Sequence, residues 1–144
     1  MLRAGSAAAQ EKAAAALDTL AYIDANKLAI LLAGAIPPLV ALAHAGSARA
    51  QEYAAGALRS LAANNAANQV AIAHAGAIPA LVALAQAGSA GAQKQAAGAL
   101  CSLAYDTANK VAIASMSPAS RSAVTHVSVV VKASSGRSAT PCAP

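Results

Sequence analysis

The sequence contains no tryptophan and no phenylalanine, so its aromatic residues are three tyrosines in 144 positions. Trp, Tyr and Arg supply much of the binding energy at protein interfaces. A binding surface on this chain therefore has few strong anchors. The tyrosines are Tyr22, Tyr53 and Tyr105.

Charge is also sparse, since charged residues make up 10% of the chain and only five are acidic. Residues 1–114 hold seven basic and five acidic residues, a net charge of +2, and the remaining residues add three bases without an acid. The end of the chain thus contributes much of the formal charge of +5. A nucleic-acid partner is not expected from so modest a charge.

Long uninterrupted apolar runs are missing as well. No charge occurs between Arg59 and Lys94, but Asn64, Gln69 and Pro79 are among the polar or helix-breaking residues of that stretch. A transmembrane helix needs about 20 predominantly apolar residues, so no membrane partner or span is expected. The N-terminus has an arginine before an alanine run, as targeting peptides do, but the repeat register below explains it better. We expect a cytoplasmic or nuclear protein.

Constellations of catalytic or metal-ligating residues are likewise lacking. His44 and His74 end two predicted helices, where histidine interacts with the terminal carbonyls and the helix dipole, and His126 lies outside the repeats. No GxSxG elbow is present, and the glycines recur singly instead of clustering before one helix as in a phosphate loop. The sequence therefore predicts no enzyme activity, metal, cofactor or small-molecule substrate.

What the sequence does contain is an internal repeat of about 42 residues. Ala33 begins the segment AGAIPPLVALAHAGSARAQEYAAGALRSLA, and Ala75 begins AGAIPALVALAQAGSAGAQKQAAGALCSLA. After Leu103 the offset falls to 41, because the linker at Asn64 and Asn65 is one residue longer than its successor. Self-similarity at this period indicates stacked helical repeats.

Each unit is predicted to contain three helices separated by stop signals. The first runs from Asn68 to Ala75 and ends at Gly76, which can adopt the left-handed conformation of a helix end. The second opens at Pro79, whose missing N–H costs nothing in a first turn. Gly88 ends this helix, and Ser89 caps the third.

The third helices carry one apolar stripe at positions i, i+4, i+7, i+8 and i+11, which is the pattern of a helix with one buried face. In the last complete unit the stripe is Ala92, Ala96, Ala99, Leu100 and Leu103. It recurs as Ala50, Ala54, Ala57, Leu58 and Leu61, and again as Ala9, Ala13, Ala16, Leu17 and Leu20. Because alanine contributes little apolar area, we expect a thin core.

The register assigns residues 1–114 to the repeat array. Residues 1–22 form a partial repeat, 26–63 and 68–105 are complete repeats, and 109–114 begin a further one. Residues 115–144 leave the pattern and are predicted to be a disordered, low-complexity tail. Because repeat arrays generally need three or more units and polar caps, we expect a fragment that self-associates through uncapped repeat ends.

The segments GAIPALVALAQAGS, AQKQAAGALCSLA and ANKVAIA resemble the armadillo repeat of importin-alpha, beta-catenin and plant U-box proteins. The resemblance covers residues 1–114 and implies an all-α fold, a right-handed α-solenoid with three helices per unit. It also implies that the third helices line a concave groove that binds an extended segment of a partner protein.

The resemblance identifies ten candidate groove residues. Where importin-alpha repeats have a tryptophan and, four residues on, an asparagine, this chain has Ala15 and Thr19, Gly56 and Ser60, and Gly98 and Ser102. One turn earlier lie Glu11, Glu52 and Lys94, and Arg59 stands beside this column. The missing tryptophans and asparagines argue against recognition of nuclear signals. Among the tyrosines, Tyr53 is the better candidate for contact with a partner.

The predicted function is a protein-interaction scaffold that binds an extended peptide or partner protein along this groove. One alternative is the substrate-recognition arm of an armadillo-type ubiquitin ligase, although the 144 residues do not include a U-box. A second alternative is a nuclear-transport cargo receptor. Fold alone does not choose among these roles.

Overall fold

The computed structural model describes residues 5–115, so the first four residues and the predicted tail beyond Ser115 lie outside the described part of the chain. Residues 5–115 form eight helices and no strand. The helices are α1 (Ala7–Leu20), α2 (Asp24–Leu32), α3 (Ile36–Ala45), α4 (Ala48–Ala62), α5 (Ala66–His74), α6 (Ala77–Ala87), α7 (Ala90–Leu103) and α8 (Thr107–Ala114). The predicted all-α fold is confirmed.

Two units of three helices follow one another, α2–α3–α4 and then α5–α6–α7. Each third helix begins after a serine whose Oγ accepts a hydrogen bond from a backbone N–H three residues on, as the sequence predicts. These serines are Ser6, Ser47 and Ser89. Gly76 has the predicted left-handed conformation with φ +83°, and Gly34 has φ +74°. Glycine lacks the Cβ that makes this conformation costly for other residues.

Two predicted helix starts are two residues late. The helix α5 begins at Ala66 and not at Asn68, because Asn65 caps it by accepting a bond from the Asn68 N–H at 2.9 Å. The helix α6 begins at Ala77 and not at Pro79. Proline is tolerated there because N–H groups of the first turn have no acceptor within the helix. The proline therefore lies inside the first turn without marking its beginning.

The core consists of the predicted stripes of α4 and α7 packed on the second helices α3 and α6. Every stripe residue of α4 and α7 is at most 1% exposed. The largest fully buried side chains of the described residues are aliphatic except for that of Asn68, and among them are Leu39, Leu58, Leu81 and Leu100. Alanines fill most of the remaining positions, so helices approach closely around a small number of leucines.

The same stripe on α1 is less well covered. Ala16 is exposed, Leu17 is half-buried and Leu20 is 47% exposed. Within residues 5–115 no second helix packs on this stripe as α3 packs on α4. The apolar stripe of α1 is therefore helical without being fully buried, because its burial depends on a neighbouring helix.

No single helix in residues 5–115 has the length and hydropathy required to cross a membrane. Two pairs of consecutive helices reach that length and hydropathy when the two helices are taken together. Each pair is sharply bent, by 88° between α2 and α3 and by 84° between α5 and α6.

Candidate functional site

The third helices α1, α4 and α7 lie side by side, and the packing of α4 on α7 is the most extensive between any two helices of the described chain. The apolar stripes of α4 and α7 face the second helices α3 and α6, which leaves the polar positions of α4 and α7 to the seams between neighbours and to solvent. We call this polar surface of α1, α4 and α7 the third-helix face. All ten candidate groove residues lie on these three helices.

At the seam between α1 and α4, an aspartate of one helix lies over a glycine of the next. A Cβ added to Gly56 would come within 2.8 Å of Asp18 Oδ2. The Ser60 hydroxyl, one turn further along α4, donates to Asp18 Oδ1 at 3.4 Å. Gly56 and Ser60 are buried as a result, although importin-like repeats use the equivalent positions to contact a ligand.

At the seam between α4 and α7 the same geometry recurs with a side chain of opposite charge. A Cβ on Gly98 would lie 2.6 Å from Arg59 Nε and 2.7 Å from its Cδ. The Arg59 guanidinium also donates from Nη1 to Gln95 Oε1 at 3.3 Å. Gly56 and Gly98 are thus each covered by a side chain of the preceding repeat.

The beginnings of the third helices make a second set of contacts across the seams. Ser47 Oγ donates to Glu11 Oε1 at 2.7 Å. The carboxylate of Glu52 lies against Gly91, where an added Cβ would be 2.5 Å from it. The side chain of Arg49 hydrogen-bonds to that of Tyr53, one turn along α4. The acids at these positions engage the neighbouring helix.

Burial divides the ten candidate groove residues into three groups. Thr19 and Lys94 are exposed. Glu11, Ala15, Glu52, Arg59 and Gly98 are half-buried, and Gly56, Ser60 and Ser102 are buried. The first two groups lie on α1, α4 and α7 with at least partial access to solvent, whereas Gly56 and Ser60 of the third group lie beneath Asp18 in the seam between α1 and α4. Tyr53, the preferred tyrosine, is half-buried near the middle of this face.

Asp18 is an acid of the third helices whose pKa departs from its ordinary value. Desolvation by its surroundings raises the pKa of this carboxyl above its ordinary value, and the hydrogen bond from Ser60 and the charge of Arg59 oppose that shift less strongly. The pKa of Arg49 is also raised. The main cause is the hydrogen bond to Tyr53, and the charges of Glu11 and Glu52 act in the same direction. Arg49 therefore remains a permanent cation.

Asparagines in the first helix of a unit join that unit to the preceding third helix, a role that the sequence did not predict. The amide of Asn68 donates to the carbonyl of Leu61 at 2.9 Å, and that of Asn109 donates to Leu103 at 3.2 Å. Within a single unit, Lys27 Nζ of α2, in a side chain only 5% exposed, donates to Ala63 O at the end of α4 at 2.7 Å and pairs with Asp24 at 3.0 Å. The signal was available, since each first helix contains Ala-Asn followed by Lys or Gln.

These asparagines satisfy carbonyls at a helix end that have no partner within the helix. They fix the angle at which a new unit begins, and so they position the third-helix face without belonging to it. Within residues 5–115 no group of three or more His, Cys, Asp or Glu side chains is placed to hold a metal ion.

Comparison with protein families decides which architecture this is. The family model described as Armadillo/beta-catenin-like repeat matches residues 24–63 and again 65–105. The chain belongs to this family. The two matches coincide with α2–α3–α4 and α5–α6–α7, so the described helices form an α-solenoid of armadillo repeats. A comparison with curated proteins found no match.

Armadillo repeats commonly serve as protein-interaction scaffolds, and their helical fold is typically not enzymatic. In this armadillo chain the stacking of the third helices agrees with the family architecture. The side chains at the places of the tryptophan and asparagine pairs differ from those of importin-alpha, because small residues (alanine, glycine, serine and threonine) occupy them.

Proposed function

We propose that this armadillo chain is a protein-interaction module that binds an extended segment of a partner along the third-helix face. The observation that carries the proposal is that three adjacent third helices each present an exposed basic side chain, Lys12, Arg49 and Lys94, while the apolar stripes of α4 and α7 pack into the core. An extended segment matches such a face because its length crosses successive helices while its backbone groups remain available for hydrogen bonds.

Tyr53 is the central contact in this proposal. It is half-buried on the middle helix, its side chain hydrogen-bonds to Arg49, and it is the one aromatic residue of the described third helices. A tyrosine offers a large, rigid contact surface with a polar end. Glu52, next to Tyr53 on α4, and Lys94, on α7, would interact with charged groups of the partner near this contact.

The nuclear-transport alternative needs a different surface. Its tryptophan and asparagine positions correspond in this chain to glycine and serine at Gly56 and Ser60, and both of these are buried beneath Asp18. No observation on the described residues favours a ligase arm over a general scaffold. The interaction module is therefore the function we propose.

Site-specific photocrosslinking tests the surface and identifies the partner together. Benzoylphenylalanine replaces Tyr53 in one variant and Val70 in a control, because Val70 is 42% exposed on the first helix α5, away from the third-helix face. We expect a crosslinked partner from Tyr53 at several times the yield from Val70. Crosslinking from Val70 alone would place binding on another surface.

Charge reversals then measure the contribution of the face to affinity for that partner. We expect Lys94→Glu to weaken binding and Glu52→Lys to change it, in both cases without unfolding the chain, since both side chains are at least partly solvent-accessible. Unchanged affinity in both variants, with circular dichroism spectra like that of the wild type, would show that the face is not the binding site.

A further inference from the structure

The charged residues of the third helices divide by sign according to their exposure. The exposed members are all basic: Lys12, Arg49 and Lys94. The acidic members are all half-buried: Glu11, Asp18 and Glu52. Arg59 is the fourth base and is half-buried as well. An approaching partner therefore meets the cations first, although the formal charges on these helices nearly balance.

Contacts within the protein explain why the acids are withdrawn from solvent. Glu11 accepts a hydrogen bond from Ser47 Oγ at 2.7 Å, and Asp18 accepts one from Ser60 Oγ at 3.4 Å. The carboxylate of Glu52 lies in the space above Gly91, which has no side chain to exclude it. Each acid is directed toward the next helix, so its charge is used inside the seam.

Arg49 lies where these features meet. It is exposed, its side chain hydrogen-bonds to that of Tyr53, and Glu11 and Glu52 are close enough to interact with its charge. These contacts hold a guanidinium beside the aromatic residue at the centre of the face. Guanidinium groups bind carboxylates through two parallel hydrogen bonds.

We propose that the third-helix face selects an extended peptide segment carrying spaced aspartate or glutamate residues, with Lys12, Arg49 and Lys94 as the residues that bind their carboxylates. The inference rests on the proposed function, because it assigns partner chemistry to the same face. Charge complementarity of this kind determines which partner is accepted and how fast it associates.

The spacing of the helices sets the spacing of the acids. Packed helices lie about 8–10 Å apart, and an extended chain in the polyproline II conformation has three residues per turn and advances about 3.1 Å per residue. One acidic residue in every three therefore brings successive carboxylates to successive third helices. This spacing guides the design of the probe peptides.

A nucleic acid is the other polyanion that an exposed row of bases suggests, and the face does not suit one. Glu11 and Glu52 flank Arg49, so an unbroken series of phosphates would be repelled at those positions. Single-stranded nucleic acids also need several aromatic platforms for their bases, and the described third helices have Tyr53 alone. Spaced carboxylates avoid both difficulties.

Fluorescence anisotropy with the full chain and three labelled peptides tests the inference. The peptides are four tandem copies of Glu-Ser-Ser, of Lys-Ser-Ser and of Gln-Ser-Ser. We expect the glutamate peptide to bind at least tenfold more tightly than the other two and to lose affinity as salt is raised, because exposed charges are screened.

Two triple variants with the same change in net charge locate the binding. Lys12→Glu, Arg49→Glu and Lys94→Glu together should weaken binding of the glutamate peptide at least tenfold. Lys110→Glu, Lys132→Glu and Arg137→Glu together should change it less than threefold, because none of these residues belongs to α1, α4 or α7. Circular dichroism checks that both variants fold. The single change Arg49→Gln, expected to weaken binding severalfold, replaces the first triple if that variant unfolds.

The outcomes separate the inference from the proposed function. If the lysine or glutamine peptide binds more tightly and the face variants weaken it, the acidic preference is wrong while the face remains a peptide site. The inference also fails if no peptide binds, if the control triple weakens binding as much as the face triple, or if a deoxythymidine 12-mer binds more tightly than the glutamate peptide. Failure of the proposed function is instead recorded by crosslinking from Val70 and not from Tyr53.

Discussion

The two seams between third helices have the same construction and opposite charge. At the seam of α1 with α4, the Asp18 carboxylate lies over the buried Gly56, whereas at the seam of α4 with α7 the Arg59 side chain lies over the half-buried Gly98. An offset of 41 or 42 residues relates each member of one seam to its counterpart in the other. In both seams a side chain of one helix lies over a glycine of the next helix. The charge of that side chain is negative in one seam and positive in the other.

The seams differ in how easily the crossing side chain can move aside. Asp18 is short, and Ser60 holds its carboxylate at 3.4 Å within a half-buried site. Arg59 also makes a hydrogen bond, to Gln95 at 3.3 Å, but its longer, half-buried side chain has more rotamers available than that of an aspartate. The first seam is therefore expected to be the less tolerant of added volume.

The largest difference should come from introducing the tryptophan that importin-like repeats have at these positions. Gly56→Trp should lower the free energy of unfolding by about 3 kcal/mol, because overpacking a buried site forces its neighbours to shift. Gly98→Trp should cost about 1 kcal/mol or less, since Arg59 can yield. Urea denaturation followed by circular dichroism measures both, with Ala97→Trp on the exposed surface of α7 as the control. Equal losses at both glycines would show that the seams are equally rigid.

A smaller effect is expected from alanine at the same two glycines. Alanine in a helix interior is favoured over glycine by about 1 kcal/mol. At Gly98 most of this gain should remain, so Gly98→Ala should stabilise the chain by about 0.5 kcal/mol. At Gly56 the new Cβ displaces the carboxylate of Asp18, and the gain should be cancelled. Melting temperatures compare the two variants.

The alanine comparison has an internal check. Combining Gly98→Ala with Arg59→Ala removes the side chain that must move, and the alanine should then give its full helical gain. If Gly98→Ala is as costly as Gly56→Ala in the presence of Arg59, the flexibility assigned to the arginine is contradicted.

The smallest effect concerns pH and belongs to the first seam alone. The pKa of Asp18 is raised in the folded chain, so folding favours its protonated form. Its contribution to stability is therefore fully present below the ordinary aspartate pKa and is lost as pH rises through the raised value. Asp18→Asn should be more stable than the wild type at neutral pH, and the difference should vanish in acid.

Unfolding titrations of the wild type and Asp18→Asn from pH 3 to pH 7 measure this difference directly. The second seam has Arg59 in the equivalent place, and arginine keeps its charge throughout that range. A matched Arg59→Gln variant should therefore show no pH-dependent difference from the wild type. A wild type that gains stability over Asp18→Asn as pH rises would contradict a raised pKa at Asp18.

Much of the fold could be predicted from local chemistry. Serine caps, the left-handed Gly76 and the alanine and leucine stripe specify where helices start, stop and face, and these features were correctly identified from the sequence. The predicted starts of α5 and α6 were two residues late. Asn65 caps α5 and so starts it at Ala66, and the proline of α6 lies inside its first turn and does not mark its first residue. Caps depend on such details, whereas periodicity does not.

The candidate site was predictable only in part. Its helices followed from the repeat, but the burial of Gly56, Ser60 and Ser102 did not, since it depends on what the neighbouring unit places above them. The structure places the side chains of Asp18 and Arg59 over Gly56 and Gly98, which the sequence did not indicate. The binding role of the ten groove residues remains a prediction.

The sequence by itself determined that this chain makes helices in threes, because capping, helix stops and apolar periodicity act over a few residues and recur at every unit. Only the tertiary structure decided which polar side chains a partner can reach. That outcome depends on contacts between residues about 40 positions apart, where a carboxylate or guanidinium crosses to the next helix wherever a missing Cβ leaves space for it. The acids entered the seams, and the exposed charges left on the third-helix face are basic.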